Sequence, residues 1–470
     1  MLKKPGIFPF FKKRPKKLPA SLLPKIRTKT LPGPKSQKIA ESLKRFECPQ
    51  ITFTGENYPV FLEKASGCNV TDVDGNRYLD LTSAFGVAGI GHSSPAVLKA
   101  MKDQSRLMIH GMGDVHPNEV KVLLAKKLSE LTPGNLSMSI FSSTGSEAVE
   151  SALKTAVMHT KKTGVIAFEG AYHGLGYGAL SVTHRQDFKK PFEKQIAKFG
   201  HFAPFPDSRI HGNKAVEVSL RSVKSVFKKN RRSAHPVGAL LVEPIQGRGG
   251  IMVPPPNFMK ELRAFCDEAK ILLIADEVFT GFGRTGFWFS VMRSDVIPDL
   301  LCVGKGLGGG FPISACIGSS RVMYSWGASH GDSIHTSTFL GWPLGCAVAL
   351  AVIRDIEENK FIDRSREMGD FFKKELYKLK ERYSFIGDVR GSGLMIGVEF
   401  NEPSYGNRSK KPVPGTEKAK RFITESLKRG IVLLSSGPDH NVVSITPPFL
   451  ITAKDIQHCV KLFDEILKKF

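Results

Sequence analysis

No run in the 470 residues approaches the roughly 18 consecutive apolar positions of a membrane-spanning helix, so no membrane span is expected. Cysteine is sparse. The seven are scattered and odd in number, with no CxxC pair. This argues against a disulfide framework or a cysteine zinc site, and no metal is expected; it points to reduced thiols in a cytoplasmic compartment. Acid is missing from the start of the chain. No Asp or Glu precedes Glu41, whereas twelve Lys and Arg do, so half of the net charge of +24 sits in the first 40 residues. Pro5, Pro9, Pro15, Pro19 and Pro24 oppose the amphipathic helix of an organelle-targeting peptide, and GIFPFF is too short for a signal-peptide core. Residues 1–35 therefore read as a disordered basic arm, able to touch acidic surfaces by electrostatics alone. The remainder carries no aromatic–basic repeat and no nucleic-acid module, so sequence-specific nucleic-acid binding is not expected. No internal repeat is present.

What is there is length enough for two or three domains. From Pro59 the pattern is β: VFLEKASG, then NVTDVDGNRYLDL with a DG hairpin turn. Residues 95–131 follow helical periods, with Pro95 and Pro117 at plausible starts. SMSIFSS reads as a strand, TGSEAVESALKTAVMHTKK as a helix, VIAFEG and ALSVT as further strands, and the basic stretch 206–236 as irregular surface. Alternating strands and helices predict an α/β fold: a large, mostly parallel sheet with helices on both faces. After Gly341 the pattern changes. Helices over 343–358, 363–382, 416–429 and 453–469 surround the strands LMIGVEF, IVLLSS and NVVSIT, which predicts a smaller α+β domain. The expected division is an arm at 1–35, a segment at 36–94 that contributes to the small domain, a large domain at 95–342, and the C-terminal small domain at 343–470.

The stretch 239–310 concentrates the chemistry. The apolar runs ALLVEPIQG, KILLIADEV and PDLLCVGKGLGGG each stop at charged residues or glycine. Buried parallel strands read this way, with reactive groups at their carboxyl ends. Asp276 and Lys305 would share one sheet edge. A lysine for a Schiff base and a carboxylate for a ring nitrogen are what pyridoxal 5′-phosphate (PLP) needs. Thr144, Gly145 and Ser146 lie where a strand meets a helix, and a helix start suits a phosphate. Thr144 with Glu147 is equally a capping box; the two readings are compatible.

Six motifs in one order, FSSTGSEAVESALK, GAYHG, VEPIQG, ADEVFTGFGRTG, VGKGLGGGFP and HTSTF, resemble those of the class III aminotransferases, PLP enzymes of fold type I. The resemblance runs from LPGPKS, beginning at residue 31, to the C-terminus. It implies a transaminase that moves an amino group from an amine or ω-amino acid donor to a keto acid, and a homodimer with shared active sites. By the same resemblance the loop at Thr144, Gly145 and Ser146 holds the PLP phosphate. Tyr172, beside His173, and Val278 cover the two faces of the ring. Asp276 keeps the pyridine nitrogen protonated, and Lys305 is both the Schiff-base residue and the proton carrier. Thr338, next to Ser337, reaches the phosphate of the neighbouring subunit. Arg284 matches a family residue without an assigned role.

The chain departs from the family at several positions. Leu175 and Ser444 stand where related ω-aminotransferases have arginines for substrate carboxylates; Phe279 replaces a glutamine and Trp342 an asparagine. Glu243, counted with the cofactor site, then lacks its arginine. It is left to attract an amine-bearing substrate, pair with Arg248, or be satisfied by backbone N–H groups. 2-Oxoglutarate is therefore expected to be a poorer acceptor than pyruvate. Two other readings stay open at this point: a PLP-dependent aminomutase or racemase on the same scaffold, and an inactive binding protein with a basic arm.

Overall fold

The computed structural model describes residues 21–55, 58–402 and 412–470. Fifteen strands are described: β1 (Leu62–Ser66), β2 (Asn69–Asp72), β3 (Arg77–Asp80), β4 (Leu136–Ser142), β5 (Gly164–Phe168), β6 (Gly200–Ala203), β7 (Val237–Val242), β8 (Leu272–Asp276), β9 (Leu300–Val303), β10 (Ser314–Ser319), β11 (Ile386–Ser392), β12 (Met395–Phe400), β13 (Ile431–Val432), β14 (Leu434–Ser436) and β15 (Val442–Ile445). Seven form the large sheet, in the order β4-β10-β9-β8-β7-β5-β6. The run from β9 to β6 is parallel; β10 lies antiparallel to both neighbours.

Period-two alternation on the buried strands divides the interior into two cores. Leu272 and Ile274 of β8, with Ala239 and Leu241 of β7, pack against the helix Gly145–Thr160. Leu273 and Ala275, with Leu240 and Val242, face the other core, where the helices Phe258–Ala269 and Pro343–Glu358 lie. Both faces of the sheet are thus covered, which is why its central strands are apolar throughout. At roughly 1.5–3 kcal/mol per fully buried large aliphatic side chain, these two layers dominate the stability of the large sheet.

The remaining strands form two smaller sheets. β1-β2-β3 is an antiparallel meander with the expected turn at Asp74–Gly75, and the short β13, from near the C-terminus, pairs parallel to β3. The order β11-β12-β15-β14 makes the other sheet, against which the helices Phe361–Arg382 and Thr416–Lys428 pack. No helix among the described residues is long and apolar enough to cross a membrane.

Three sequence expectations are corrected. ALSVT belongs to a helix, Tyr177–Val182, and is not a strand; Glu150 from a neighbouring helix accepts from the Ala179 N–H at 2.9 Å, a tertiary cap that no local pattern reveals. The stretch 206–236 contains a helix, Ala215–Asn230: Val216 and Val223 are buried, Leu220, Val226 and Phe227 pack partly buried against the same core, and the basic residues between them hide this stripe in the sequence. The expected arm is shorter than 35 residues. Lys25 pairs with Arg77 through two backbone hydrogen bonds of 2.8 and 2.9 Å, and Asn69 and Asn76 hold Leu22 and Arg27. Backbone satisfaction along the meander edge outweighs the charge of this segment. The part of the arm at residues 1–20 lies outside the described residues.

Candidate active site

The topology brings two strand ends together. Asp276 is the last residue of β8 and pairs with Cys302 of β9; Lys305 follows β9 after Val303 and Gly304. Lys305 has φ +38°, left-handed backbone that non-glycine residues rarely occupy and that costs about 1–3 kcal/mol. Such strain persists only where the surroundings over-determine it, as at a working site. Asp276 and Lys305 line one cavity of about 370 Å³ together with the start of the helix Gly145–Thr160, the GAYHG turn and the turn after β7.

Asp276 is buried, and each of its oxygens accepts one hydrogen bond: from His173 Nδ1 at 2.7 Å and from the Val278 N–H at 3.1 Å. His173 Nε2 is buried without a partner among the described residues, so the ring acts as a single-armed holder of the carboxylate. The His173 backbone N–H is fixed by Thr183 Oγ1 at 2.9 Å. Lys305 faces this carboxylate across the cavity wall. Burial pushes its amine down from the ordinary lysine value to about 8; the Arg248 cation adds to the depression, and Asp276 and Glu243 oppose it. The neutral amine is then within reach at physiological pH, far more so than for an ordinary lysine, which suits a nucleophile and base.

At the helix start, Thr144 is the N-cap. Its hydroxyl accepts from the Glu147 N–H at 3.2 Å, and Glu147 in turn accepts from the N–H groups of Ser143 and Thr144. The capping box therefore consumes these three amides and leaves those of Gly145 and Ser146, at the positive end of the helix, without protein acceptors among the described residues. Gly145 is required here: a Cβ would come within 2.6 Å of Val278 Cγ1. Ser146 Oγ accepts from the Gly176 N–H at 3.0 Å, tying the GAYHG turn to the helix.

Glu243 resolves toward the backbone. Its oxygens accept from the N–H groups of Tyr172 at 3.1 Å and Gly247 at 2.9 Å, and burial raises its pKa. No ion pair joins it to Arg248 among the described residues. Tyr172 and Val278 both line the cavity, as expected for residues flanking a flat ring. Phe279 closes it above the lysine, its ring centre 4.2 Å from Lys305 Nζ. Its ring is wedged between Gly86 and Gly247, where an added Cβ would lie 2.5 and 2.3 Å from ring carbons. Sequence reasoning singled out neither glycine; Gly247 is explained by the bulk of Phe279 across the turn, and Gly86 by that ring together with its φ of +82°.

Other expected residues lie elsewhere. Ser337 and Thr338 are exposed and do not line the cavity of this chain. Their loop is anchored to the outside of the same helix by His335, 2.9 Å from Ser151 Oγ, and to Asp114 through Thr336 at 2.7 Å. Ser444 sits within β15, opposite Gly397 and Leu434, away from the cavity lining; Leu175 lies at the mouth, half-exposed. Arg284 acquires a structural role. It is fully buried, donates to the carbonyls of Leu394 at 3.0 Å and Pro447 at 2.6 Å and to Ser83 Oγ at 3.3 Å, and stacks on Phe449. Burial lowers its pKa to about 9. Trp342 caps the helix Pro343–Glu358, with its indole N–H on the Pro312 carbonyl at 3.3 Å.

The donor set fits PLP: an amine of depressed pKa for its aldehyde, a buried carboxylate for its ring nitrogen, and two free amides at a helix start for its phosphate. Comparison with known proteins agrees. The family model described as aminotransferase class-III matches residues 52–467. The chain is 36% identical to the acetylornithine aminotransferase of Methanosarcina mazei over 407 residues, 87% of this chain and 91% of that protein. It is 34% identical to the 5-aminovalerate aminotransferase of Pseudomonas aeruginosa over 441 residues, 91% and 99% of the two chains. Among solved structures, a PLP-bound amine transaminase from an uncultivated Pseudomonas species superposes with a TM-score of 0.82 at 27% identity, covering 90% of this chain and 98% of that one.

Proposed function

We propose how this chain, which belongs to the class III aminotransferase family, uses the site just described. The family match makes it a PLP-dependent transaminase of fold type I. The donor we assign is an ω-amino acid or another primary amine, and the acceptor a keto acid. The relatives named for acetylornithine and 5-aminovalerate support that class of donor. The observation that carries the residue roles is the convergence of Asp276, Lys305 and the Gly145 helix start on one cavity.

When bound, PLP supplies an aldehyde carbon and a ring that delocalises negative charge from the substrate's reacting carbon. Lys305 would hold that aldehyde, and its amine, placed within the cavity, would serve as the group that carries a proton from the substrate's reacting carbon. Asp276, fixed by His173 and the Val278 amide, would hold a proton on the ring nitrogen and so favour electron density moving into the ring. The amides of Gly145 and Ser146 and the Ser146 hydroxyl would orient the phosphate. Tyr172 and Val278 confine the ring, and Glu243 buttresses Tyr172 through its backbone N–H.

We take the enzyme to be a homodimer in which Ser337 and Thr338 complete the partner's phosphate site. Leu107, Ile109, Met112, Val115, Ile334 and Phe339 are exposed apolar side chains on adjoining segments, joined by the contact of Phe339 with His110. Such a cluster of exposed apolar side chains supports the reading of a subunit interface here. The strand pairing of β3 with β13 supports our assignment of residues 36–94 and 343–470 to one small domain beside a PLP-binding domain of 95–342. A cytoplasmic location is supported by seven free cysteines, six of them buried. The test is a panel of amine donors without acceptor, followed by assay of the released oxo product. One product equivalent per PLP with ω-amino acids supports the assignment, and release from none of the donors refutes it.

A further inference from the structure

The cavity contains a cation that no expected role uses. Arg248, in the turn after β7, lines it alongside Lys305 and Glu243. Its guanidinium makes no hydrogen bond or ion pair with a described residue. It is held by stacking: its central carbon lies 4.8 Å from the ring centre of Tyr172 and 5.6 Å from that of Phe188. These two rings meet edge-on at 5.7 Å, and Arg185 covers Phe188 at 5.1 Å. The backbone is fixed as well, through the Arg248 carbonyl to the Gly437 N–H at 3.1 Å and through Gly247 to Glu243. Stacking occupies the faces of a guanidinium and leaves the N–H edges free, so the fork is pre-oriented without being neutralised.

The neighbouring charges are already committed. Both Glu243 oxygens accept backbone N–H groups. Arg185 is held by Asp187 through contacts of 3.2 and 2.7 Å. Arg284 is sealed against carbonyls outside the cavity. The positions where the resemblance places carboxylate-binding arginines hold Leu175 and Ser444. A carboxylate entering this cavity needs a charge-assisted partner, because leaving its charge unpaired is costly.

We infer that Arg248 is the carboxylate receptor of this active site and fits it to substrates with a single carboxylate, a 2-oxo monocarboxylic acid as acceptor. The inference rests on the transaminase reading above. A bidentate pair with Arg248 anchors one carboxylate near Lys305. The second carboxylate of a dicarboxylic acceptor meets Leu175 and Phe279, which offer no donor.

The test uses the PLP-loaded protein, with R248A and R248K as variants. Propionate, which has a carboxylate and no reacting group, is titrated calorimetrically. Loss of a charge-assisted pair should weaken it about ten- to a hundredfold in R248A. R248K, which keeps the charge and loses the fork, should fall between wild type and R248A. In turnover, the ratio of kcat/KM for pyruvate to that for propanal should drop by a similar factor in R248A, mainly through the KM of pyruvate. Wild-type propionate affinity in R248A, with an unchanged ratio, overturns the assignment. Should R248A fail to retain PLP, R248K decides: weakened propionate supports it, and unchanged affinity overturns it. The transaminase reading fails separately, if wild type transfers no amino group to any acceptor while propionate still depends on Arg248.

Discussion

The floor of the cavity and its mouth are built from different parts of the fold. At the floor, Asp276 and Lys305 stand at the ends of adjacent parallel strands, and Gly145 opens the helix that covers the same sheet. At the mouth, Leu175, Arg248 and Phe279 stand on turns. The floor is dictated by sheet topology, because any doubly covered parallel sheet presents its strand ends on one edge. The mouth is set by side chains on connections, where substitution costs the core little. On the proposed reading, the chemistry belongs to the floor and substrate choice to the mouth.

Substitutions at the two levels should separate cleanly. The largest effect is expected at the floor. Lys305→Ala removes the proposed tether and proton carrier, and turnover should fall by about 10²–10⁴-fold, the usual contribution of a positioned base. Peptide mapping after reductive trapping of PLP should show no label at position 305; a label on another lysine in wild type would reassign the role. Asp276→Asn should slow transfer by on the order of 10²–10³-fold, the cost of losing one preorganised electrostatic group. PLP content should be largely retained, since the amine and the helix start remain; near-normal turnover would remove Asp276 from the chemistry.

A pH experiment sharpens the contrast, because it reads the floor through a residue of the mouth. Only a neutral amine captures PLP. With the Lys305 pKa near 8, capture by the apoprotein should rise with pH through about 8 and level off above it. A lysine at its ordinary value of 10.5 would keep accelerating to about pH 10. Because the Arg248 cation depresses this amine, R248A should shift the midpoint upward. Stopped-flow mixing of apoprotein with PLP across pH 6.5–10 measures both.

Effects confined to the mouth should be smaller. Leu175→Arg adds a cation at the rim and should improve 2-oxoglutarate relative to pyruvate by about tenfold, the worth of roughly 1.4 kcal/mol. Competing-acceptor kinetics decide it, and an unchanged ratio would mean that the rim does not see the second carboxylate. The smallest effect on catalysis is expected far from both levels. A chain beginning at Ser21 should match full-length turnover. One beginning at Leu31 loses the pairing of Lys25 with Arg77 and the contacts to Asn69 and Asn76. At about 0.5–1.5 kcal/mol per net hydrogen bond, its thermal midpoint should fall by several degrees.

Much of this was legible before any coordinates. Apolar runs that end on charge mark β7, β8 and β9, and the helix periods from Pro343 onward place the C-terminal helices to within a few residues, while the strand β11 (Ile386–Ser392) gives no such signal. The helix Tyr177–Val182 looks like a strand in sequence because its six residues are too few to show a period, and its cap comes from Glu150 on another helix. The partners of Glu243 stay open in sequence because carboxylates look alike whether they face an arginine or two backbone amides. Gly247 carries no local signal because its reason lies across the turn, in the ring of Phe279.

By itself the sequence determined the two-sided burial of the large sheet, the positions of Lys305, Asp276 and the Gly145 helix start, and the absence of arginine at 175 and 444, since local periodicity and motif order encode these directly. Only the tertiary structure decided which charges remain free. Arg284 and Arg248 are both arginines in glycine-rich turns. One is buried among the carbonyls of Leu394 and Pro447, and the other is stacked on Tyr172 in the cavity wall, with no hydrogen-bond partner for its guanidinium among the described residues. The physical reason is that a hydrogen-bond partner is a fact of distance between remote segments, and no local pattern along the chain records it.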